Sequence, residues 1–218
     1  METVKKKRTF NRRTYSYGLL LCILCLSLRH HAYGQKRLAL QQLPAQKIPS
    51  GIHYKGKYLA AWQWQDSMGT QIVILSESGP YNNEDGNGNA DLFAGHYRIV
   101  NDKWQADWKL TDFVKDCPVD LEAAFVAQAF QVTDLDHDGV AEVWLLYRLG
   151  CRGDISPGGM KLIMYEAKDK YAMRGTYKVR ITPKAYDGGA YTFDPKFRDG
   201  PKAFRVFATQ LWQKHVLP

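Results

Sequence analysis

Period-two alternation of apolar and polar side chains, in short runs bounded by turn residues, constrains this chain more than any other feature. In residues 58–66, Ala60, Trp62 and Trp64 share one face of an extended segment. In residues 104–110, Trp104, Ala106, Trp108 and Leu110 do the same while Gln105, Asp107 and Lys109 face away. Further strands are expected at 71–76, 92–100, 125–133, 143–147, 162–167 and 171–179, the last two joined as a hairpin through Lys168-Asp169-Lys170. The stretch 121–130 reads two ways, because its alanines also suit a short helix. At the C-terminus the period changes: Phe204, Phe207, Ala208, Leu211 and Trp212 follow helical spacing behind Asp199-Gly200-Pro201. The expected fold is mainly β, with antiparallel sheets built from hairpin units, sandwich-like or partial-propeller-like, and a C-terminal helix.

The chain's charge separates its first segment from the rest. Of 30 Lys+Arg and 22 Asp+Glu, residues 1–34 hold seven basic groups and one acid, leaving 23 against 21, only +2, for the remainder. A nearly neutral globular part lacks the electrostatic footprint of a nucleic-acid binder. Residues 1–34 have the layout of a secretory signal: Lys5, Lys6, Lys7, Arg8, Arg12 and Arg13, then an apolar run at 19–28, then Ala32, Tyr33 and Gly34 before a cleavage at Gln35. The apolar run is half of the roughly 20 residues needed to span a bilayer. Leu21 and Leu24 precede Cys22 and Cys25 where a lipidation signal needs a small residue, so a lipid anchor fits poorly. No transmembrane segment is expected after cleavage, and the mature protein belongs in the periplasm, at the cell surface or outside the cell. Residues 35–56, with Pro44, Pro49 and Ser50-Gly51, read as an extended leader to a single β-rich domain at 57–218. The mature chain keeps two cysteines, Cys117 and Cys151, which in an oxidising compartment read as one disulfide; two unpaired thiols are the competing reading. After the expected cleavage no Cys-x-x-Cys is left, against redox catalysis and zinc.

The strongest chemical signal is Asp134-Leu135-Asp136-His137-Asp138-Gly139-Val140-Ala141-Glu142. Carboxylates at loop positions 1, 3 and 5, glycine at 6, the Val140 carbonyl at 7 and an acid at 9 give the spacing that wraps oxygens around Ca²⁺. Asp134, Asp136, Asp138, Val140 and Glu142 are the candidate ligands; His137 occupies an outward position. A solvated acidic turn is the competing reading, and magnesium suits so oxygen-rich a loop less well. Position 12 is Leu145 rather than Glu, and the flanks read as strands, both unlike an EF-hand. The loop instead resembles the calcium loops of FG-GAP and VCBS-type β repeats, which implies a hairpin that carries the metal. A second stretch, Asn83-Glu84-Asp85-Gly86-Asn87-Gly88-Asn89-Ala90-Asp91, aligns without a gap 51 residues upstream, since 134 − 83 = 51. Its candidate second-metal residues are Asn83, Asp85, Asn87, Asn89 and Asp91, with lower charge and weaker affinity than the first loop; a polar hairpin turn is the alternative.

Taken together, Val132-Thr133-Asp134-Leu135-Asp136, Ala141-Glu142-Val143-Trp144, Gly150-Cys151-Arg152-Gly153-Asp154-Ile155-Ser156-Pro157 and Met160-Lys161-Leu162-Ile163-Met164-Tyr165-Glu166 resemble an exported Bacteroidota family of surface polysaccharide biosynthesis proteins. That resemblance spans most of the mature chain and implies a link to lipopolysaccharide or capsule, without catalytic residues to carry over. Arg152-Gly153-Asp154 spells an adhesion tripeptide, but beside a disulfide cysteine Arg152 and Asp154 are expected to pair locally and fix the loop. Neither Gly-x-Ser-x-Gly nor His-Glu-x-x-His is present. The expected function is therefore an exported, non-catalytic calcium-binding β protein acting in surface polysaccharide biosynthesis or envelope glycan binding, with a surface polysaccharide or envelope protein as partner. A glycan-processing enzyme of the cell envelope is the alternative, since a carboxylate pair meets in space and not in sequence.

Overall fold

The computed structural model describes residues 38–218, so the segment 1–34 and the export reading attached to it lie outside the described residues. The alternating runs become two antiparallel sheets. The first contains β1 (Gln41–Gln42), β2 (Lys57–Asp66), β3 (Gly69–Glu77), β4 (Tyr81–Asn82), β5 (Gly88–Val100) and β6 (Lys103–Cys117), in the order β1-β2-β3-β5-β4 with β6 also on β5. The second contains β7 (Asp120–Phe125), β8 (Gln131–Thr133), β9 (Glu142–Arg152), β10 (Gly159–Glu166), β11 (Asp169–Thr176) and β14 (Tyr191–Phe193), in the order β14-β11-β10-β9-β7 with β8 also on β9. A separate hairpin pairs β12 (Lys178–Thr182) with β13 (Ala185–Gly188). Two helices close the chain, α1 (Pro195–Asp199) and α2 (Lys202–His215). The fold is thus mainly β and antiparallel, with the expected C-terminal helix. The ambiguous stretch 121–130 resolves into the end of β7 and one 3₁₀ turn at Ala127–Ala129.

The sheets stack face to face through Trp64, Val73, Leu75, Leu92 and Leu110 from the first and Val143, Leu145, Tyr147 and Ile163 from the second. The outer face of the second sheet, with Trp144, Leu146, Leu162 and Met164, is covered by Phe204, Ala208, Leu211 and Trp212 of α2. That i, i+4, i+7, i+8 stripe is the one the sequence displays, and fully burying each large side chain contributes about 1.5–3 kcal/mol. The outer face of the first sheet is covered by the leader. Leu43 and Ile52 pack on Ala61, Ile72, Ile74 and Tyr97, and the Leu43 N–H donates to the Ala61 carbonyl at 2.9 Å. The described part of the leader is therefore a second covering layer of the domain, as α2 is the first.

One strand departs from simple alternation. In the β5–β6 pairing His96 faces Trp108 and Tyr97 faces Ala106, so Asp107 is an extra residue that bulges out of register. Trp104 consequently packs beneath the leader while Trp108 and Leu110 lie between the sheets. The expectation that all four apolar positions of 104–110 share one face is corrected by this bulge. Inside the sandwich, His96 is stacked between Trp64 and Trp108, with ring centroids 5.6 and 5.3 Å away. Burial drives its pKa down to about 4 despite the opposing charge of Asp107, so it packs there as a neutral ring.

Candidate metal centre

The acidic loop 134–142 joins β8 to β9, and Thr133 pairs with Glu142 across its base. Its carboxylates hold the backbone in successive tight turns: Asp138 Oδ1 accepts from the Val140 N–H at 2.7 Å, and Asp136 Oδ1 accepts more weakly from the Asp138 N–H at 3.4 Å. Gly139 has φ +85°, a left-handed conformation that glycine adopts without steric cost, and His137 also has positive φ, at +64°. His137 is exposed. Glu142 is fully buried and folds back across the loop, accepting from the Leu135 N–H at 2.9 Å and from the Thr133 hydroxyl at 2.5 Å. Thr133 is held in turn by the Trp144 indole N–H, at 2.8 Å.

Tertiary structure adds a fifth acid. In the β9–β10 pairing Glu166 lies directly opposite Glu142. Like charges in that position destabilise a sheet unless something neutralises them. Potential ligand atoms of Asp134, Asp136 and Asp138 lie within 4.8 Å of one another, as do those of Asp136, Glu142 and Glu166, so Asp136 belongs to both groups. Two oxygens on opposite sides of one Ca²⁺ stand about 4.6–5.2 Å apart, twice the Ca–O distance, so both triplets have the span of a shared ion. Asp134 Oδ1 and Glu166 Oε1 are buried with no hydrogen-bond partner. None of the five acids forms an ion pair among the described residues. Burial, and then the charges of Asp136, Asp138 and Glu142, push the Glu166 carboxyl up to about 7. Burial also raises Glu142, against the hydrogen bonds from Thr133 and Leu135. These clustered acidic residues have the arrangement of a site that could hold a metal ion.

The first sheet braces the loop. Asp66, at the end of β2, accepts from the Ala141 N–H at 3.1 Å with Oδ2, while Oδ1 accepts from the Met68 N–H at 2.8 Å and from the Gln71 amide. The Ser67 N–H donates to the Gly139 carbonyl at 2.9 Å. Local spacing places Asp134, Asp136, Asp138 and Glu142 together; Val140 contributes a backbone N–H bond to Asp138. Glu166, Asp66 and Thr133 lie outside the acidic motif at 134–142. The readable signal for Glu166 is an acid ending a mostly apolar strand, but its meaning depends on the β9–β10 register.

The second loop also connects antiparallel strands, β4 and β5, but its base pair is Asn82 with Gly88, the residue at loop position 6. Position 9, Asp91, lies three residues up the strand, where its carboxylate meets the Lys115 ammonium at 2.6 Å and the Tyr81 hydroxyl at 2.7 Å. Partial burial opposes ionisation, but Lys115 and Tyr81 hold the Asp91 pKa below its usual range. Asn83 Oδ1 accepts from the Asn87 N–H at 2.8 Å, and Asn89 Oδ1 accepts from the Asp116 N–H at 2.9 Å. Asp85 and Glu84 are exposed on the turn.

Cys117 and Cys151 form a disulfide with Cα atoms 5.5 Å apart. The following Arg-Gly-Asp loop is fixed differently from expectation: Arg152 pairs with Glu122 at 3.1 Å and donates to the Ser156 carbonyl at 2.7 Å, while Asp154 accepts from the Ser156 N–H at 2.9 Å. Among the described residues no helix is long and apolar enough to cross a membrane. No protein-family model, curated protein or solved structure matches the chain.

Proposed function

We propose that the chain is an exported, non-catalytic calcium-binding β protein that acts in surface polysaccharide biosynthesis or in binding envelope glycans. The observation that carries the calcium assignment is the convergence of five acids, Asp134, Asp136, Asp138, Glu142 and Glu166, with two buried carboxylate oxygens left without partners. A hard divalent cation supplies what those oxygens lack, and the all-oxygen donor set matches calcium. In this role the ion would bind the β8–β9 hairpin to β10 and, through Asp66, to the first sheet, which is a structural task. The disulfide fits an oxidising compartment, in keeping with export. The polysaccharide setting rests on the sequence resemblance. It is tested by profiling the surface glycans of a deletion strain: loss or truncation of capsule or lipopolysaccharide is expected, and an unchanged profile defeats that assignment.

A second reading, a glycan-processing enzyme, draws on one observation. A cavity of about 210 Å³, away from the acidic loop, is lined by Glu77, Asp91 and Glu122. Two of these acids are already engaged, Asp91 by Lys115 and Glu122 by Arg152 and the Tyr177 hydroxyl. A general acid for glycoside cleavage needs a raised pKa, and Asp91 is shifted the opposite way. Glycan binding without cleavage is therefore the favoured reading, and release of reducing ends from envelope polysaccharide by the purified protein would reverse that preference.

A further inference from the structure

A second cavity of about 210 Å³ opens where residues 53–55 of the leader cross the outer face of the first sheet. We infer that this cavity is a subsite for one carboxylate-bearing sugar unit of an anionic polysaccharide. The inference deepens the glycan-binding reading above and rests on it for biological setting.

The cavity is built by two close approaches that only glycine permits. A Cβ on Gly95 would lie 2.7 Å from the Tyr97 hydroxyl oxygen and 2.8 Å from its ring, so Gly95 lets the Tyr97 ring lie down on the sheet. Gly56, at φ +74°, brings the leader so near β3 that a Cβ would lie 2.3 Å from the Glu77 carbonyl oxygen. The Tyr97 hydroxyl then donates to the His53 carbonyl at 2.8 Å, tying floor to rim. The result is a concave site formed before any ligand arrives, which lowers the ordering cost of binding.

The lining selects the ligand chemistry. Tyr54, Phe93 and Tyr97 present ring surface, and Ser76 and Thr111 add hydroxyls. This mixture suits a pyranose, which has an apolar C–H face and a hydroxyl edge. Lys55 and Lys109 supply two positive charges, no Asp or Glu lines the cavity, and neither lysine has an ion-pair partner among the described residues. An anionic group on the sugar gives these lysines a counterion. The volume is below the roughly 300–1,000 Å³ of pockets that enclose a drug-sized ligand, so one ring enters while the rest of the glycan lies outside.

Calorimetric titration of the mature chain in calcium provides the test, with galacturonic acid trisaccharide, the matching neutral galactose trisaccharide and inorganic phosphate as separate probes. Binding of the acidic trisaccharide at least about tenfold tighter than the neutral one is expected, with affinity falling as salt rises. Lys109→Gln and Tyr54→Ala, both at exposed positions, should each weaken the acidic sugar about tenfold and leave the melting temperature unchanged. Equal binding of the neutral sugar, phosphate binding as tightly as the acidic sugar, or no binding overturns the subsite. A deletion strain with normal surface glycans, alongside persistent acidic-sugar binding in vitro, would remove the biosynthetic setting and leave the subsite standing.

Discussion

The two ends of the sandwich are cross-linked by different chemistry. At one end, Cys117, paired in register with Gly88 at the exit of the second loop, is covalently joined to Cys151 at the far end of β9. At the other end β9 begins at Glu142, and the acidic loop, Glu166 and the Asp66 turn meet without a covalent link or, among the described residues, a basic counterion. The loops themselves differ in parallel. The second closes at position 6, which carries its ninth residue, Asp91, away to Lys115. The first closes at position 9, which carries Glu142 into the loop. A similar string of residues thus sends its ninth residue to a lysine in one register and into a cluster of acids in another.

The largest effect should come from the covalent end. Replacing Cys151 by Ser opens a crosslink between residues 34 apart, which the chain-entropy account values at about 3–4 kcal/mol. Denaturant unfolding of the purified variant should show that loss, and a loss below about 1 kcal/mol would mean this end is held by packing alone. Non-reducing peptide mapping should recover the Cys117–Cys151 pair.

Calcium should supply a comparable contribution at the opposite end. At a hundredfold excess over Kd a ligand of the native state adds about 2.7 kcal/mol, or roughly 5–10 °C of melting temperature for a domain of this size. After removal of metal by chelator, millimolar calcium should raise the wild-type transition by that amount. Asp136→Ala should abolish most of the rise, and Asp136→Asn should weaken it less because an oxygen ligand remains. A wild-type melting temperature indifferent to calcium would make the loop a solvated turn.

Glu166→Gln sharpens the contrast through effects of opposite sign. It removes a charge facing Glu142, so the metal-free protein should gain on the order of 1 kcal/mol while its response to calcium shrinks. The pH dependence follows from the same group. The folded pKa of Glu166, about 7, lies above its ordinary 4.5, so between these values the folded state keeps a proton that the unfolded chain has released. Stability of the metal-free protein should therefore decline as pH rises from about 4.5 through about 7. Bound calcium or the Gln variant should flatten that decline, and a slope that persists in both would assign it to another group.

The smallest effects belong to the second loop. Its Lys115–Asp91 pair is partly exposed, so Lys115→Ala should cost less than about 1 kcal/mol. Asp91→Asn should leave the calcium response of the protein unchanged, with a stoichiometry of one ion per chain by titration calorimetry. Two ions in the wild type, or one in which Asp91 takes part, would erase the distinction between the loops.

Much of the fold is written locally. Alternation at 58–66 and 71–76 yields β2 and β3 because successive side chains of a strand face opposite ways. The helical spacing of Phe204, Ala208, Leu211 and Trp212 yields α2 because those positions lie on one stripe. Four of the five acids were legible for the same reason, since residues 134–142 share one short turn whatever surrounds it. The cysteine pair followed from count and compartment, and the structure supplies its geometry.

What the tertiary structure decided is register. The bulge at Asp107 sends Trp104 and Trp108 to opposite faces, the β9–β10 pairing sets Glu166 against Glu142, and the early closure at Gly88 gives Asp91 to Lys115. A shift of one residue between strands exchanges the two faces of a sheet. Strand pairing is stabilised by side chains distant in sequence, so the spacing within one segment fixes neither where a bulge reverses its faces nor which neighbour each residue meets.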